Sequence, residues 1–300
     1  MKNLLLMCCL SATLAFAATV TAESPLHIAR LDAGNRSATS TGEDIWKALN
    51  PGKLKLRSAA ALVVDESGNE VYAKQANDPM PIASITKLMT AMVILDGDLP
   101  MQEKISIMKD DRDLIQLTGS RLEYGARLSR GELLQLALMA SENRAANALA
   151  RTWPDGRKAF IAAMNRKAQS LGMQGSRFSD PAGLDAGNVA SARDLVKMVR
   201  AAMRYPFIRK STTTRSISVR PYKGRGELRY VNTNRLLKNA AWEIQLSKTG
   251  YLNEAGRCLA MQAEIVDHPL VIVLLNSFGK LTPFGDSNRI RKWIEGGIDS

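Results

Sequence analysis

Strand-like segments stand at both ends of this chain, and helix-like segments fill the middle. That order constrains the fold more than any other feature. Near the first end, Ala59 to Asp65 is apolar and β-prone, Glu66-Ser67-Gly68-Asn69 carries turn residues, and Glu70 to Lys74 returns. This predicts a hairpin. Near the other end, Leu259 to Val266 and Leu270 to Leu275 flank Asp267-His268-Pro269, a second hairpin. Between them, Ile85, Leu88, Met89, Met92, Val93 and Leu95 recur at helical spacing. Ser129 and Glu132 form a capping box ahead of Leu133 to Met139. Phe160 to Leu171 reads as a helix stopped by Gly172, and Ser191 opens another with Leu195, Met198, Val199 and Ala202 on one face. After Pro206 the character changes: Ser216 to Arg220 and Glu227 to Val231 alternate around a Gly-rich turn, and Asn288 to Glu295 closes as a short helix. The expectation is an α+β fold, with one sheet built from both chain ends and a helical region inserted between. Apolar residues make up 45% of the chain, enough to bury the core this needs.

The first residues belong to a different problem. Lys2 supplies a positive start, Leu4 to Ala18 is an apolar run, and Ala15-Phe16-Ala17 and Val20-Thr21-Ala22 offer small-residue cleavage sites. Residues 1–22 are therefore read as a cleaved secretory signal, too short in its apolar part for a membrane span. Removing it leaves Cys258 as the only cysteine, so no internal disulfide forms, and a bacterial periplasm is the expected compartment. Residues 23–55 read as a lead-in with a short helix near Glu43 to Leu49. Residues 56–300 read as a single catalytic domain, with its helical subregion at about 84–205. No second spanning segment follows the signal.

The net charge of +12 is concentrated. Ten basic residues lie between Arg204 and Lys238, against Glu227 as the only acid. Such a field attracts a polyanion. No nucleic-acid motif accompanies it, so the expected partner is an anionic wall polymer rather than nucleic acid. A solvated, solubilising face is the competing reading.

Three short motifs carry the chemistry. Ser84-Ile85-Thr86-Lys87 reads S-x-x-K at the start of the first apolar helix. Residues three apart share a helix face, so Lys87 can reach the Ser84 hydroxyl. The N-terminal end of a helix also favours developing negative charge. Two other S-x-x-K matches, starting at Ser106 and Ser277, open no apolar helix. Ser141-Glu142-Asn143 reads S-x-N at a break between helical segments, and Lys248-Thr249-Gly250 precedes the apolar strand at Leu259, as on a strand edge. Other site chemistries lack parts. His27 and His268 are the only histidines, which leaves no Ser–His–Asp triad and, with one cysteine, no zinc site. No P-loop is present.

The ordered set S-x-x-K, S-x-N and K-T-G resembles that of the penicillin-binding proteins and class A β-lactamases. The S-x-N form is similar to the low-molecular-mass penicillin-binding D-alanyl-D-alanine peptidases. The resemblance extends over about Ala59 to Trp293, through Phe178 to Leu184, Ser191-Ala192-Arg193-Asp194-Leu195 and Asn232 to Leu237. It is nearest the short periplasmic endopeptidases of that family. Asn188-Val189-Ala190 stands where many carboxypeptidases carry a histidine, and the longer relatives' β-rich second domain and amphipathic tail have no counterpart here. The resemblance implies a β-lactamase/transpeptidase-like fold, no cofactor, and hydrolysis of D-Ala–diaminopimelate crosslinks in peptidoglycan through a Ser84 acyl ester. It implies Lys87 as proton acceptor and Ser141 as a proton relay bridging Lys87 and Lys248. Asn143, Lys248, Thr249 and Gly250 would bind substrate, and the backbone N–H groups of Ser84 and Tyr251 would form the oxyanion hole. Lys87 must act as a neutral amine. Bringing a lysine from about 10.4 to 7–8 takes roughly 3–5 kcal/mol, which burial and a neighbouring cation, here Lys248, are expected to supply.

The motif residues leave rival activities open. A carboxypeptidase trimming terminal D-Ala uses the same groups. A non-catalytic wall-binding protein would need only the basic segment. A class A β-lactamase would need a glutamate to drive deacylation, and none occurs between Asn143 and Lys197. β-Lactams are therefore expected to act as long-lived covalent inhibitors.

Overall fold

The computed structural model describes residues 42–298. The signal assigned to 1–22, and the lead-in up to residue 41, lie outside the described residues. The helix expected in the lead-in is α1 (Gly42–Lys47). The first hairpin is β1 (Ser58–Asp65) and β2 (Glu70–Lys74). Asp65 closes it: its carboxylate accepts from Gly68 N and Asn69 N, both at 2.8 Å, and from Trp46 Nε1 at 2.7 Å. The short β3 (Met80–Pro81) leads into a 3₁₀ turn, Ala83–Thr86, which runs directly into α2 (Lys87–Asp96).

The helical region follows. β4 (Lys104–Ser106) pairs with β5 (Arg127–Ser129), which delivers the chain to α3 (Arg130–Met139). The S-x-x-E spacing makes a capping box there: Ser129 Oγ accepts from Glu132 N at 3.1 Å, and the Glu132 carboxylate accepts from Ser129 N at 2.6 Å. Next come α4 (Asn143–Arg151) and α5 (Gly156–Ser170), then β6 (Val189–Ala190) paired with β3, and α6 (Ala192–Ala202) capped by Ser191. A further helix, α7 (Pro206–Thr213), stands where the sequence pattern only breaks. Its threonines weaken the helical signal, whereas Pro206 suits a first helical turn that needs no N–H from it. β7 (Ser216–Val219) and β8 (Leu228–Val231) form the expected small hairpin.

The chain returns through β9 (Glu243–Leu252), β10 (Gly256–Ile265) and β11 (His268–Ser277), and ends in α8 (Thr282–Ile298). That last helix begins six residues before the expected Asn288. Pro283 and Asp286 hide its start in the sequence, yet both are buried. The Asp286 carboxylate accepts from Ser58 N at 2.7 Å and Ser58 Oγ at 2.6 Å, which ties α8 to the first residue of β1.

The main sheet has the order β2-β1-β11-β10-β9, with each neighbouring pair antiparallel. It is the sheet from both chain ends that the sequence order implies. Its two faces bury different side chains. Leu62, Val64, Val271, Val273 and Leu275 join the helical region's core, whereas Val63, Ile272 and Leu274 pack with Trp46, Ile290 and Ile294 beneath α1 and α8. Two covered faces explain why β11 reads as a continuous aliphatic run instead of an alternation. β9 is left as an edge strand alongside the helical region. No helix among the described residues is long and apolar enough to cross a membrane.

Leu274 lies in the central strand and is fully buried, while Leu117 is 67% exposed. Leu274→Ala should cost about 2–5 kcal/mol in urea unfolding, and Leu117→Ala about 0.5 or less. Equal effects would contradict this placement of the core.

Candidate active site

Three elements converge on one cleft. The 3₁₀ turn and α2 bring Ser84 and Lys87, the α3–α4 junction brings Ser141 and Asn143, and the edge strand β9 brings Lys248, Thr249 and Gly250. Residues 164 positions apart in the chain thus share one site. Backbone geometry marks two of the junctions. Ala83, just before Ser84, has φ 47°, and Ser141 has φ 60°. Left-handed conformations at non-glycine residues are held by their surroundings.

Lys87 is fully buried. Its Nζ lies 2.7 Å from Ser84 Oγ, 2.8 Å from Asn143 Oδ1 and 2.6 Å from the Ala182 carbonyl oxygen. As an ammonium it donates to all three. As a neutral amine it keeps two N–H groups for the two obligate acceptors, Asn143 Oδ1 and Ala182 O. Its lone pair then faces the Ser84 hydroxyl, which donates. Burial lowers the Lys87 pKa to about 7, against the opposing pull of Asp180, Glu142 and Asp113.

Desolvation is the leading cause of the Lys87 depression, as expected of a buried amine. Lys248 likewise falls well below the ordinary lysine value, through burial first and then through the neighbouring Lys87 charge. The bridge expected at Ser141 is half made. Lys248 Nζ donates to Ser141 Oγ at 3.0 Å and to Thr249 O at 2.9 Å, while all three polar contacts of Lys87 go elsewhere.

The Asn143 carbonyl oxygen holds Lys87, and its Nδ2 donates to Thr118 Oγ1 at 2.9 Å. Thr118 donates in turn to Asp113 Oδ2 at 2.7 Å. That chain of donors fixes which end of the amide faces the lysine. Thr249 Oγ1 lies 2.6 Å from Thr233 Oγ1 at the cleft surface. Gly250 is required by space: a Cβ there would lie 2.9 Å from Ile82 O and 3.1 Å from Ser84 N. Its absence lets β9 run against the serine backbone. The Tyr251 side chain is exposed, with the Arg257 guanidinium 3.6 Å above its ring. Cys258 is buried beside the cleft, and burial pushes its thiol up to about 12, which keeps it a thiol and unreactive.

Residues 178–184 and Asn188 carry the resemblance in the sequence, and in the fold they build part of the site. The Asp180 carboxylate accepts from the backbone N–H groups of Ala182, Gly183, Leu184 and Asp185 at 2.6–2.9 Å, and from Asn188 Nδ2. Asn188 Oδ1 accepts from Ser179 N at 2.9 Å. This clamp presents the Ala182 carbonyl to Lys87. Gly183, at φ 76°, packs so closely that a Cβ would collide with the Ala83 carbonyl. The Asp-Pro-x-Gly run was the available signal, because it forms tight turns; what the turn presents is not visible in sequence.

A buried lysine one turn after a serine, with a second buried lysine on the facing edge strand, marks an acyl-transferring serine site rather than a surface cluster. The family model for D-alanyl-D-alanine carboxypeptidases matches residues 47–279, and the chain belongs to that family. It is 44% identical over 252 residues to a D-alanyl-D-alanine endopeptidase of Pseudomonas aeruginosa, covering 84% of this chain and 81% of the relative. It is 45% identical over 244 residues to a D-alanyl-D-alanine endopeptidase of Escherichia coli, covering 81% and 79%. Among solved structures it resembles a Streptomyces DD-transpeptidase, with TM-score 0.74 and 25% identity over 81% of this chain and 98% of that one.

Lys87 labelled with ¹³C at Cε should titrate with a midpoint near pH 7 by NMR. The Asp180 carboxylate favours the charged amine, so Asp180→Asn should move that midpoint down. An upward movement would contradict the assigned balance of burial and charge.

Proposed function

We propose that this chain is an exported serine endopeptidase that opens D-Ala–diaminopimelate crosslinks in peptidoglycan. The observation that carries this reading is the 2.7 Å contact between Ser84 Oγ and the buried Lys87 Nζ. The reaction begins when the Ser84 proton moves to the Lys87 amine as Oγ attacks the D-Ala carbonyl carbon. The resulting oxyanion is received by the backbone N–H groups of Ser84 and Tyr251. Loss of one such donor typically costs about 10²–10³ in rate. The C–N bond then breaks. The proton taken up by Lys87 passes through Ser141, behind which Lys248 stands at 3.0 Å, to the departing amine, and Lys87 is neutral again. Water then gives a proton to Lys87 as it attacks the ester carbonyl, and that proton passes to Ser84 Oγ as the ester C–O bond breaks. Lys248 and Thr249 engage a substrate carboxylate, and Asn143 orients Lys87 beside the peptide.

The curated relatives at 44–45% identity bear the endopeptidase name, which supports that activity over carboxypeptidase trimming. The family description supports trimming as the second reading. We assign the mature catalytic domain to residues 56–300 and the compartment to the periplasm, with 1–22 as the cleaved signal. Penicillins, which imitate the acyl donor, acylate Ser84 and leave slowly.

Radiolabelled penicillin should attach to the wild-type protein in about one equivalent and not to Ser84→Ala. Dimeric muropeptides should be converted to monomers; removal of terminal D-Ala from pentapeptides alone would shift the assignment to a carboxypeptidase. Because Lys87 acts in its neutral form, acylation should rise with pH through about 7 and then level off. A rate that falls over that interval would exclude Lys87 as the base.

A further inference from the structure

The basic stretch 204–238 reads as one field in the sequence, but in the fold it divides. Arg220 pairs with Glu227, and Arg225 with Glu123, both at the surface. Arg235 and Lys238 go elsewhere. With Arg257 and Lys280 they line the cleft of about 520 Å³ that runs from Ser84 along β9 to the start of α8. Its lining contains no carboxylate. Among the described residues, none of these four cations makes an ion pair, although surface cations elsewhere do. Arg257 is held instead by the face of the Tyr251 ring at 3.6 Å. Stacking fixes its plane and leaves its N–H edges unspent on any acid.

Like charges gathered in a concave site focus their field and repel one another until an anion enters. A single carboxylate is already met by Lys248 and Thr249 on the reading given above. The four further cations therefore call for a ligand with more than one. The two candidate reactions differ here. Trimming releases one D-alanine, which carries one carboxylate. Crosslink opening releases a whole peptide stem, which carries further carboxylates along its length.

We propose that this arm of the cleft is a carboxylate-recognition subsite for the departing peptide stem, and that Arg235, Lys238 and Arg257 select stems whose carboxylates are free instead of amidated. The subsite rests on the reading of Ser84 as the acylated nucleophile and adds the chemistry of the leaving group to it. Lys280 lies at the far end of the same arm, beside Leu281 and Pro283. The basic segment thereby serves the substrate at close range, through two of its ten cations, rather than only the polymer at a distance.

The test compares dimeric muropeptides with free carboxylates on the leaving stem against the same dimers amidated there. Wild type should cleave the free form with a kcat/KM roughly tenfold higher, mostly through KM. Arg235→Gln and Lys238→Gln should each erode that preference by roughly two- to fivefold, the range of an exposed ion pair. The preference should also shrink as salt is raised from 0.05 to 0.5 M, as screening requires. Stoichiometric penicillin labelling reports that each variant is folded and its serine competent. Equal cleavage of both dimers by a wild type that labels fully would overturn the subsite alone, as would variants that keep the full preference. A wild type that fails to label would overturn the acyl-enzyme reading, and the subsite with it.

Discussion

The site is organised by the burial of two lysine amines in one place. An ammonium taken from water loses its hydration, and the protein must either replace it or let the proton go. Around Lys87 the replacement is incomplete by design of the fold: three acceptors, one of them a hydroxyl that can also donate. Those contacts suit either protonation state, which is the condition for a proton to move back and forth. Around Lys248 there are fewer partners and a neighbouring cation, so its amine too is pushed toward neutrality. A surface lysine would do neither.

Everything nearby serves that burial. The Asp180 clamp fixes a carbonyl on Lys87, and Asn143 is fixed in turn by Thr118 and Asp113. Gly183 and Gly250 let two backbone segments approach the serine turn closely, where a methyl group would not fit. Asp180 therefore acts on Lys87 twice: its charge favours the protonated amine, and its hydrogen bonds hold the loop that carries the Ala182 carbonyl.

The sheet explains why the site can be so well fixed. With helices over both faces, neither face of β1, β10 or β11 is left to solvent, and β9 is positioned along its whole length by β10. That register fixes where Lys248, Thr249 and Gly250 stand. Opposite this edge lies the α3–α4 junction, where Ser141 takes a left-handed conformation. The cleft between them is lined by Arg235, Lys238 and Arg257, none of which makes an ion pair among the described residues.

Much of this was legible in the sequence. The capping box at Ser129, the hairpin around Asp267 and the order of the three motifs each depend on neighbours in the chain, and local spacing encodes them. What escaped shares a different property. Helix α7 and the first turn of α8 are stabilised by contacts with distant segments, as when Asp286 bonds Ser58. The clamp at Asp180 matters only because Lys87, 93 residues earlier, lies against it. The sequence alone determined which side chains were available for acyl transfer and which elements would carry them. Only the tertiary structure decided that Lys87 and Lys248 are both buried side by side, that Asn143 faces Lys87, and that part of the basic segment turns into the cleft. Solvent exclusion and charge proximity are properties of packing in three dimensions, and no spacing along a chain specifies them.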